Sequence, residues 1–289
     1  MKVLVVGGSG FVGRALTSRL LEAGHEVESW DRAPRDGGPG FMARAVDPLG
    51  DGELPRPEGG PWDAAFHLAA YSVPGMGWTQ DLVFANLRMT ARIFDHLAAV
   101  APGCRAIFTS SAFVYAPSPR LLRETDPLGS THPYALSKHL GETWALSRRE
   151  ALKVFIVRPF NQLGPGMAAG LLVPELLERI QRGESPIRMT GRDDVRDFLD
   201  WRDAMDAYLR LLEVDAPSGS IWNLCSGRPT RVSELVHGLL RACGQERPVL
   251  FANPAVEALI GDPARLMADT GWRPSRTLED TVQAIAALS

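Results

Sequence analysis

The segment Val3-Leu4-Val5-Val6-Gly7-Gly8-Ser9-Gly10-Phe11-Val12-Gly13 constrains this chain more than any other. Four consecutive apolar residues suit a parallel strand covered on both faces. The glycines let the backbone turn tightly and come close to a pyrophosphate, and the amphipathic stretch from Phe11 to Leu21 supplies a helix N-terminus whose free N–H groups attract anions. Read through Gly8, Gly10 and Gly13 the spacing is G-x-G-x-x-G; read through Gly7, Gly10 and Gly13 it is G-x-x-G-x-x-G. A glycine-rich turn has other structural uses, so its context matters. The next strand-like stretch, Glu26-Val27-Glu28-Ser29-Trp30, ends at Asp31. That is about twenty residues past the glycines, where a carboxylate can hydrogen-bond the adenosine ribose hydroxyls. Dinucleotide binding is the expectation.

Strand-like and helix-like stretches alternate along the first half. Strands are predicted at 2–6, 26–30, 42–46, 63–68, 104–110 and 152–158, and helices near 11–22, 79–100 and 132–149. The Gly-, Pro- and Asp-rich stretch 33–61 reads as loop around one short strand. Alternation of this kind implies right-handed crossovers. The fold class is therefore α/β, a Rossmann-type doubly wound parallel sheet. After Pro159 the character changes. Helices at 171–182, 201–213 and 231–242 are separated by short strands at 186–189, 197–199 and 220–224, which predicts a smaller mixed α/β C-terminal substrate lobe. The expected division is 1–160 for the dinucleotide-binding domain and 161–289 for the substrate lobe, intimately packed, with no polar linker between them.

With 289 residues and a net charge of −3, the chain gives no reason to expect nucleic acid or an anionic membrane as partner. No apolar run approaches the ~18 residues needed to span a bilayer, and the N-terminus runs straight into a strand, so no signal peptide is expected. Cys104, Cys225 and Cys243 form no C-x-x-C and read as buried thiols of a cytoplasmic protein. Six scattered histidines contain no H-E-x-x-H, and no metal site is expected.

Tyr134-Ala135-Leu136-Ser137-Lys138 places a phenol and an ammonium four residues apart, on one face of a helix that Pro133 suits as a first-turn residue. The lysine charge should favour the phenolate and lower the tyrosine pKa from about 10 toward neutrality. Such a tyrosine can take a proton from a carbinol as hydride leaves, or return one as hydride arrives. Ile107-Phe108-Thr109-Ser110-Ser111 is an apolar strand ending in hydroxyls. Ser111 or Ser110 there can hydrogen-bond a substrate oxygen; for Ser110 a turn-capping role is expected instead.

These residues together resemble the extended short-chain dehydrogenase/reductase family of nucleotide-sugar epimerases, dehydratases and reductases. The resemblance continues through Phe66-His67-Leu68-Ala69-Ala70, Ser110-Ser111-Ala112-Phe113-Val114-Tyr115, Pro133-Tyr134-Ala135-Leu136-Ser137-Lys138 and Arg158-Pro159-Phe160-Asn161-Gln162-Leu163-Gly164-Pro165-Gly166. Arg196-Asp197-Phe198-Leu199-Asp200-Trp201-Arg202-Asp203 and Gly271-Trp272-Arg273-Pro274 complete it. It implies that Tyr134 is the general acid/base, that Lys138 holds the nicotinamide ribose, and that Ser111, with Ala112 beside it, bridges substrate and tyrosine. It also implies a dinucleotide site of Gly7, Gly10, Phe11, Val12, Gly13, Asp31, Arg32, Asp47, Leu68, Ala69, Ala70 and Pro159, joined by Tyr134 and Lys138, and a nucleotide-sugar diphosphate held by Asn161 and Arg196. Plainer roles stay open: Asn161 as a turn residue, Arg196 as a partner of Asp193 or Asp197, and His67 as a satisfied core histidine. Relatives dimerise through two helices per subunit, which implies a homodimer through 79–100 and 132–149. Leu82, Leu87, Ile93, Phe94 and Leu97 on the first helix, and Leu136, Leu140, Trp144 and Leu146 on the second, are the apolar candidates.

Phe113 stands where sugar dehydratases carry a further acid, so dehydration is not expected. Two readings survive, both moving hydride at a ring carbon, most often C4 in such enzymes: an NAD-retaining epimerase, which Asp31 puts first, and a reductase of 4-keto-6-deoxy nucleotide sugars as the alternative. Asp31 favours NAD; Arg32 and Arg35 can pair with the 2′-phosphate of NADP. Strings such as Phe160–Gly166, Val195–Phe198 and Gly261–Leu266 resemble GDP-4-keto-6-deoxy-mannose reductases more than UDP-galactose epimerases. Asn253-Pro254-Ala255-Val256 replaces the usual Arg-Pro-x-Asp, leaving Arg228 and Arg265 as possible helpers of Arg196, and Ala116 replaces a common glycine. A non-catalytic dinucleotide sensor is the reading of another class; such a protein would lose the tyrosine–lysine pair that is kept here.

Overall fold

A computed structural model describes residues 1–72, 79–130, 132–253 and 256–288. The first half alternates as expected: β1 (Lys2–Val6), α1 (Phe11–Glu22), β2 (Glu26–Asp31), β3 (Phe41–Ala45), β4 (Ala64–His67), α2 (Gln80–Val100), β5 (Arg105–Thr109), α3 (Pro133–Leu146) and β6 (Lys153–Pro159). Then come β7 (Asn161–Leu163), α4 (Leu172–Gln181), β8 (Ile187–Arg192), β9 (Val195–Asp200), α5 (Trp201–Arg210), β10 (Ser220–Leu224), β11 (Pro229–Arg231) and α6 (Val232–Ala242). β12 (Val249–Asn253), β13 (Ala258–Leu259), α7 (Ala264–Thr270) and α8 (Leu278–Ala287) close the chain.

Seven strands form one sheet in the order β10-β6-β5-β4-β1-β2-β3, every neighbouring pair parallel. The chain runs outward from β1 to β3, then restarts at β4 on the other side of β1. That reversal opens a crevice above the C-terminal ends of β1 and β4, where doubly wound sheets bind ligands. Side chains alternate across the sheet. Val3, Val5, Phe66 and Phe155 pack with Leu16 and Leu20 of α1 and Met205 and Tyr208 of α5. Leu4, Val6, Phe108 and Ile156 pack on the other face with Ile93, Phe94 and Leu97 of α2. Each such side chain contributes about 1.5–3 kcal/mol of transfer free energy, so both faces must be covered for the sheet to persist. A third core joins α4, α6 and α8 through Leu176, Ile180, Leu235, Leu239 and Val282.

The sheet does not respect a division at residue 160. β10, from the second half, pairs with β6 from Ser220↔Phe155 to Leu224↔Pro159, and α5 packs in the same core as α1. The remaining C-terminal strands form two small sheets, β11-β9-β13 with β7 on β9, and β12-β8.

On the two helices expected to dimerise, Ile93, Phe94 and Leu97 are buried in the chain's own core, as is Leu82. Ile93, Phe94 and Leu97 are packed on the sheet, which removes them from any interface. Phe84 (66% exposed) and Leu136 (42%) carry the exposed apolar surface there. Among the described residues no helix is long and apolar enough to cross a membrane, and no cluster of His, Cys, Asp or Glu could hold a metal ion. Cys104 and Cys225 are buried free thiols, while Cys243 is only half-buried.

Candidate active site

Eleven of the predicted dinucleotide residues line one groove of about 400 Å³: Gly7, Gly10, Phe11, Val12, Gly13, Asp31, Arg32, Asp47, Leu68, Ala69 and Ala70. The glycines are dictated by contact. Gly7 has φ +95°, and a Cβ on Gly13 would sit 2.1 Å from the Gly7 carbonyl oxygen and 2.6 Å from Gly8 Cα. Helix α1 starts at this turn with no side-chain cap and no acidic residue in its first turn. Its leading N–H groups and positive dipole end suit a pyrophosphate, so the groove fits the dinucleotide the sequence implies.

Asp31 is held rigidly. Its carboxylate accepts from the Ser9 backbone N–H (2.7 Å) and from the Ser29 hydroxyl (2.5 Å). Arg32 lines the same groove, whereas Arg35 stacks on Phe41 (5.4 Å to the ring centroid) and is absent from the lining. Asp47 accepts from the Leu49 N–H (3.0 Å). Pro159 closes β6 opposite Leu224 and lies outside the groove lining.

The structure brings Ser111, Tyr134 and Lys138 together. Ser111 caps the short 3-10 turn Ala112–Val114, its hydroxyl accepting from the Phe113 N–H (3.2 Å), and it also hydrogen-bonds the Tyr134 phenol. Lys138 lies one helical turn beyond Tyr134. Its ammonium donates to the Thr109 carbonyl (2.8 Å) and sits 5.9 Å from the Tyr134 ring centroid. The expected drop in the tyrosine pKa is not present in the protein alone. Burial pushes the phenol up to about 12, with the Ser111 hydrogen bond as the opposing influence. Burial also pulls Lys138 down to about 8, against the charge of Glu142. Phe113 stacks edge-on against Tyr134 (6.5 Å) and His132 (5.2 Å), an apolar wall beside the phenol.

Ser110 does not cap a turn. Its hydroxyl donates to Glu142 (2.5 Å), and Glu142 takes a bidentate pair from Arg158 (2.9 and 2.7 Å). Arg158 further donates to the Tyr115 hydroxyl (2.7 Å), which donates to Asn223 (2.8 Å). This buried network ties α3 to the end of β5, to β6 and to β10 just behind Ser111, Tyr134 and Lys138. Sequence reasoning missed it, although Glu142 follows Lys138 by four and Tyr134 by eight, which is one helix face. His67 is the core histidine expected: its Nε2 meets the Thr90 hydroxyl (3.1 Å), and burial, with the Lys138 charge nearby, holds its pKa down to about 3.

The two residues expected on a diphosphate are both engaged. Asn161 donates to the Asp197 carbonyl (3.1 Å). Arg196, in β9, pairs with Asp194 in the short link that precedes that strand (2.6 Å), not with Asp193 or Asp197. Asp197 instead accepts from the backbone of Ser226 (2.7 Å) and Gly227 (2.9 Å). Arg228 donates to the Arg276 carbonyl, and Arg265 lies 3.8 Å from Asp269. Ala116 packs where a Cβ on Gly129 would fall (2.8 Å). Of the departure at 253–256, Pro254 and Ala255 lie outside the described residues.

A family model described as "NAD dependent epimerase/dehydratase family" matches residues 3–225. GDP-6-deoxy-D-mannose reductase of Pseudomonas aeruginosa is 30% identical, covering 98% of this chain and 95% of its own. UDP-glucose 4-epimerase of Lactobacillus helveticus is 26% identical, covering 99% and 96%. Among solved structures, RMD from Pseudomonas aeruginosa complexed with NADPH superposes with a TM-score of 0.81 at 28% identity, over 99% of this chain and 98% of that one.

Proposed function

The chain belongs to the NAD-dependent epimerase/dehydratase family, and from that premise we propose that it interconverts a carbinol and a ketone at C4 of a nucleotide-linked 6-deoxy sugar, working as a reductase. It is an enzyme of nucleotide-sugar oxidoreduction that uses an NAD-type cofactor. The observation that carries the reaction type is the Ser111–Tyr134 hydrogen bond with Lys138 one turn behind and Phe113 as an apolar wall. When bound, the nicotinamide supplies or accepts the hydride. Tyr134 gives a proton to the C4 oxygen as hydride arrives, or takes it when hydride leaves. Ser111 hydrogen-bonds that oxygen and keeps it in line with the phenol. Lys138 contributes positive charge beside a phenol that burial otherwise keeps protonated. Phe113 has no proton to exchange, so elimination of water has no second acid or base at that position.

Full-length similarity to a GDP-6-deoxy-D-mannose reductase favours reduction. An NAD-retaining C4 epimerase is the second reading, favoured by Asp31 on the groove wall. Denaturing the purified protein and chromatographing what it releases separates the two. Little bound dinucleotide, with consumption of NADPH on a GDP-linked 4-keto-6-deoxy sugar, supports the reductase. Near-stoichiometric NAD, with inversion of an intact nucleotide hexose, overturns it in favour of the epimerase. In this reading Arg196 leaves Asp194 to meet the substrate diphosphate. The reading includes a homodimer through α2 and α3, supported by the exposed Phe84 and Leu136; a monomer in sedimentation at micromolar concentration overturns that part.

A further inference from the structure

In the sheet order β4-β1-β2, the glycine turn above β1 is flanked on one side by the end of β2 and on the other by the loop after β4. Arg32 follows β2, Tyr71 follows β4, and both line the dinucleotide groove. They touch each other: the Arg32 Nη1 donates to the Tyr71 hydroxyl (3.2 Å), and the guanidinium carbon lies 5.4 Å from the ring centroid. The contact therefore spans the groove from one wall to the other.

Its two arms differ in freedom. The Tyr71 backbone is pinned at both ends by the side-chain amide of Asn86, which accepts from its N–H (2.8 Å) and donates to its carbonyl (3.1 Å). Asn86 is buried in α2, and its amide also donates to Ser137 on the catalytic helix α3 (3.0 Å). Tyr71 is thus a fixed post. Arg32 is exposed and carried on a long flexible side chain, next to an Asp31 held by Ser9 and Ser29.

We propose that Arg32 and Tyr71 form a clasp across the adenosine half of the bound dinucleotide, closed over a ribose 2′-hydroxyl and opened by a 2′-phosphate. A 2′-hydroxyl is an uncharged donor that suits the Asp31 carboxylate, so Arg32 stays on Tyr71. A 2′-phosphate repels Asp31 and offers Arg32 a charge-assisted, bidentate partner stronger than a neutral phenol and a ring face. Arg32 then swings to the phosphate and the clasp opens. NAD(H) is retained behind a closed clasp, while NADP(H) is held by its phosphate and released through an open one. The inference rests on the cofactor reading above and adds the control of release to it.

The test measures dissociation rates of NADH and NADPH, by displacement under nicotinamide fluorescence, from the parent protein and from Tyr71→Ala, Tyr71→Phe and Arg32→Ala. Tyr71→Ala should raise the NADH rate roughly ten-fold, equivalent to about 1.4 kcal/mol, and leave the NADPH rate within about two-fold. Tyr71→Phe keeps the ring in place and should fall between. Arg32→Ala should speed both, NADH through the lost clasp and NADPH through the lost phosphate partner. Equal acceleration of both cofactors by Tyr71→Ala, no acceleration of either, or an effect of Arg32→Ala on NADPH alone each overturns the clasp while leaving the cofactor reading intact. A parent protein that binds neither dinucleotide overturns both.

Discussion

Glu142→Gln tests how much of the active site rests on charge buried behind it. Arg158 and Glu142 are each 3% exposed and joined by two parallel hydrogen bonds. Gln keeps the shape but removes the counter-charge, stranding a buried guanidinium. Loss of one partner from such a pair costs about 3–5 kcal/mol. For a chain of this size roughly 2 °C of melting temperature follows each kcal/mol, so Tm should drop by about 6–10 °C. Glu142→Met combined with Arg158→Met removes both charges and should recover a large part of that loss, because a buried pair replaced by apolar groups is often neutral or better. Glu142 is also the carboxylate that opposes burial at Lys138. In Glu142→Gln the alkaline limb of the pH–rate profile should therefore move to lower pH. The assays are calorimetry on parent, single and double variants, and kcat/KM against pH at a temperature where all are folded. A single variant melting within about 2 °C of the parent, or an unmoved alkaline limb, refutes the electrostatic argument.

Tyr134→Phe should lower kcat/KM about 10²–10⁴-fold while the protein still binds dinucleotide in a titration; undiminished turnover would remove Tyr134 from the proton transfer, and a parent protein that binds dinucleotide without turning over any nucleotide sugar would restore the sensor reading. Activity should decline as pH rises through about 8, where Lys138 loses its ammonium. Because the unfolded lysine stays protonated up to 10.5, stability from this group should rise across the same window, so rate and Tm should run in opposite directions. Gly13→Ala places a methyl 2.1 Å from the Gly7 carbonyl oxygen, between backbone atoms that cannot yield. Dinucleotide affinity should fall at least about ten-fold with a loss of about 1–3 kcal/mol in stability, and retained affinity would argue against the tight turn.

What the sequence made legible was what depends on neighbours in the chain. Buried strands followed by amphipathic stretches give β1 to β6 and α1 to α3 within a few residues, and the glycine turn and the tyrosine–lysine pair are spacings of three to four positions. The remainder depends on partners far apart. β11 and β13, of three and two residues, exist only because β9 lies between them. Glu142 meets Arg158 across sixteen positions and a change from helix to strand, and Arg32 meets Tyr71 across thirty-nine. The pairing of Arg196 with Asp194 is only two positions long, but Asp194 sits in the link before β9, so strand alternation does not single it out over Asp193 or Asp197. The phenol's acidity was misjudged because a four-residue spacing brings Lys138 near the ring without saying that burial dominates there.

The position of β10 has a bearing on how the protein is made. Until residue 220 has been synthesised, β6 has no neighbour on its outer side, and an otherwise finished sheet presents a row of unsatisfied backbone groups along a strand whose residues are almost all buried in the completed fold. Such an edge invites pairing with another chain. A fragment ending near residue 200 would hold every strand that borders the dinucleotide groove and still be prone to aggregate, so nascent chains of that length are where protection from self-association counts most.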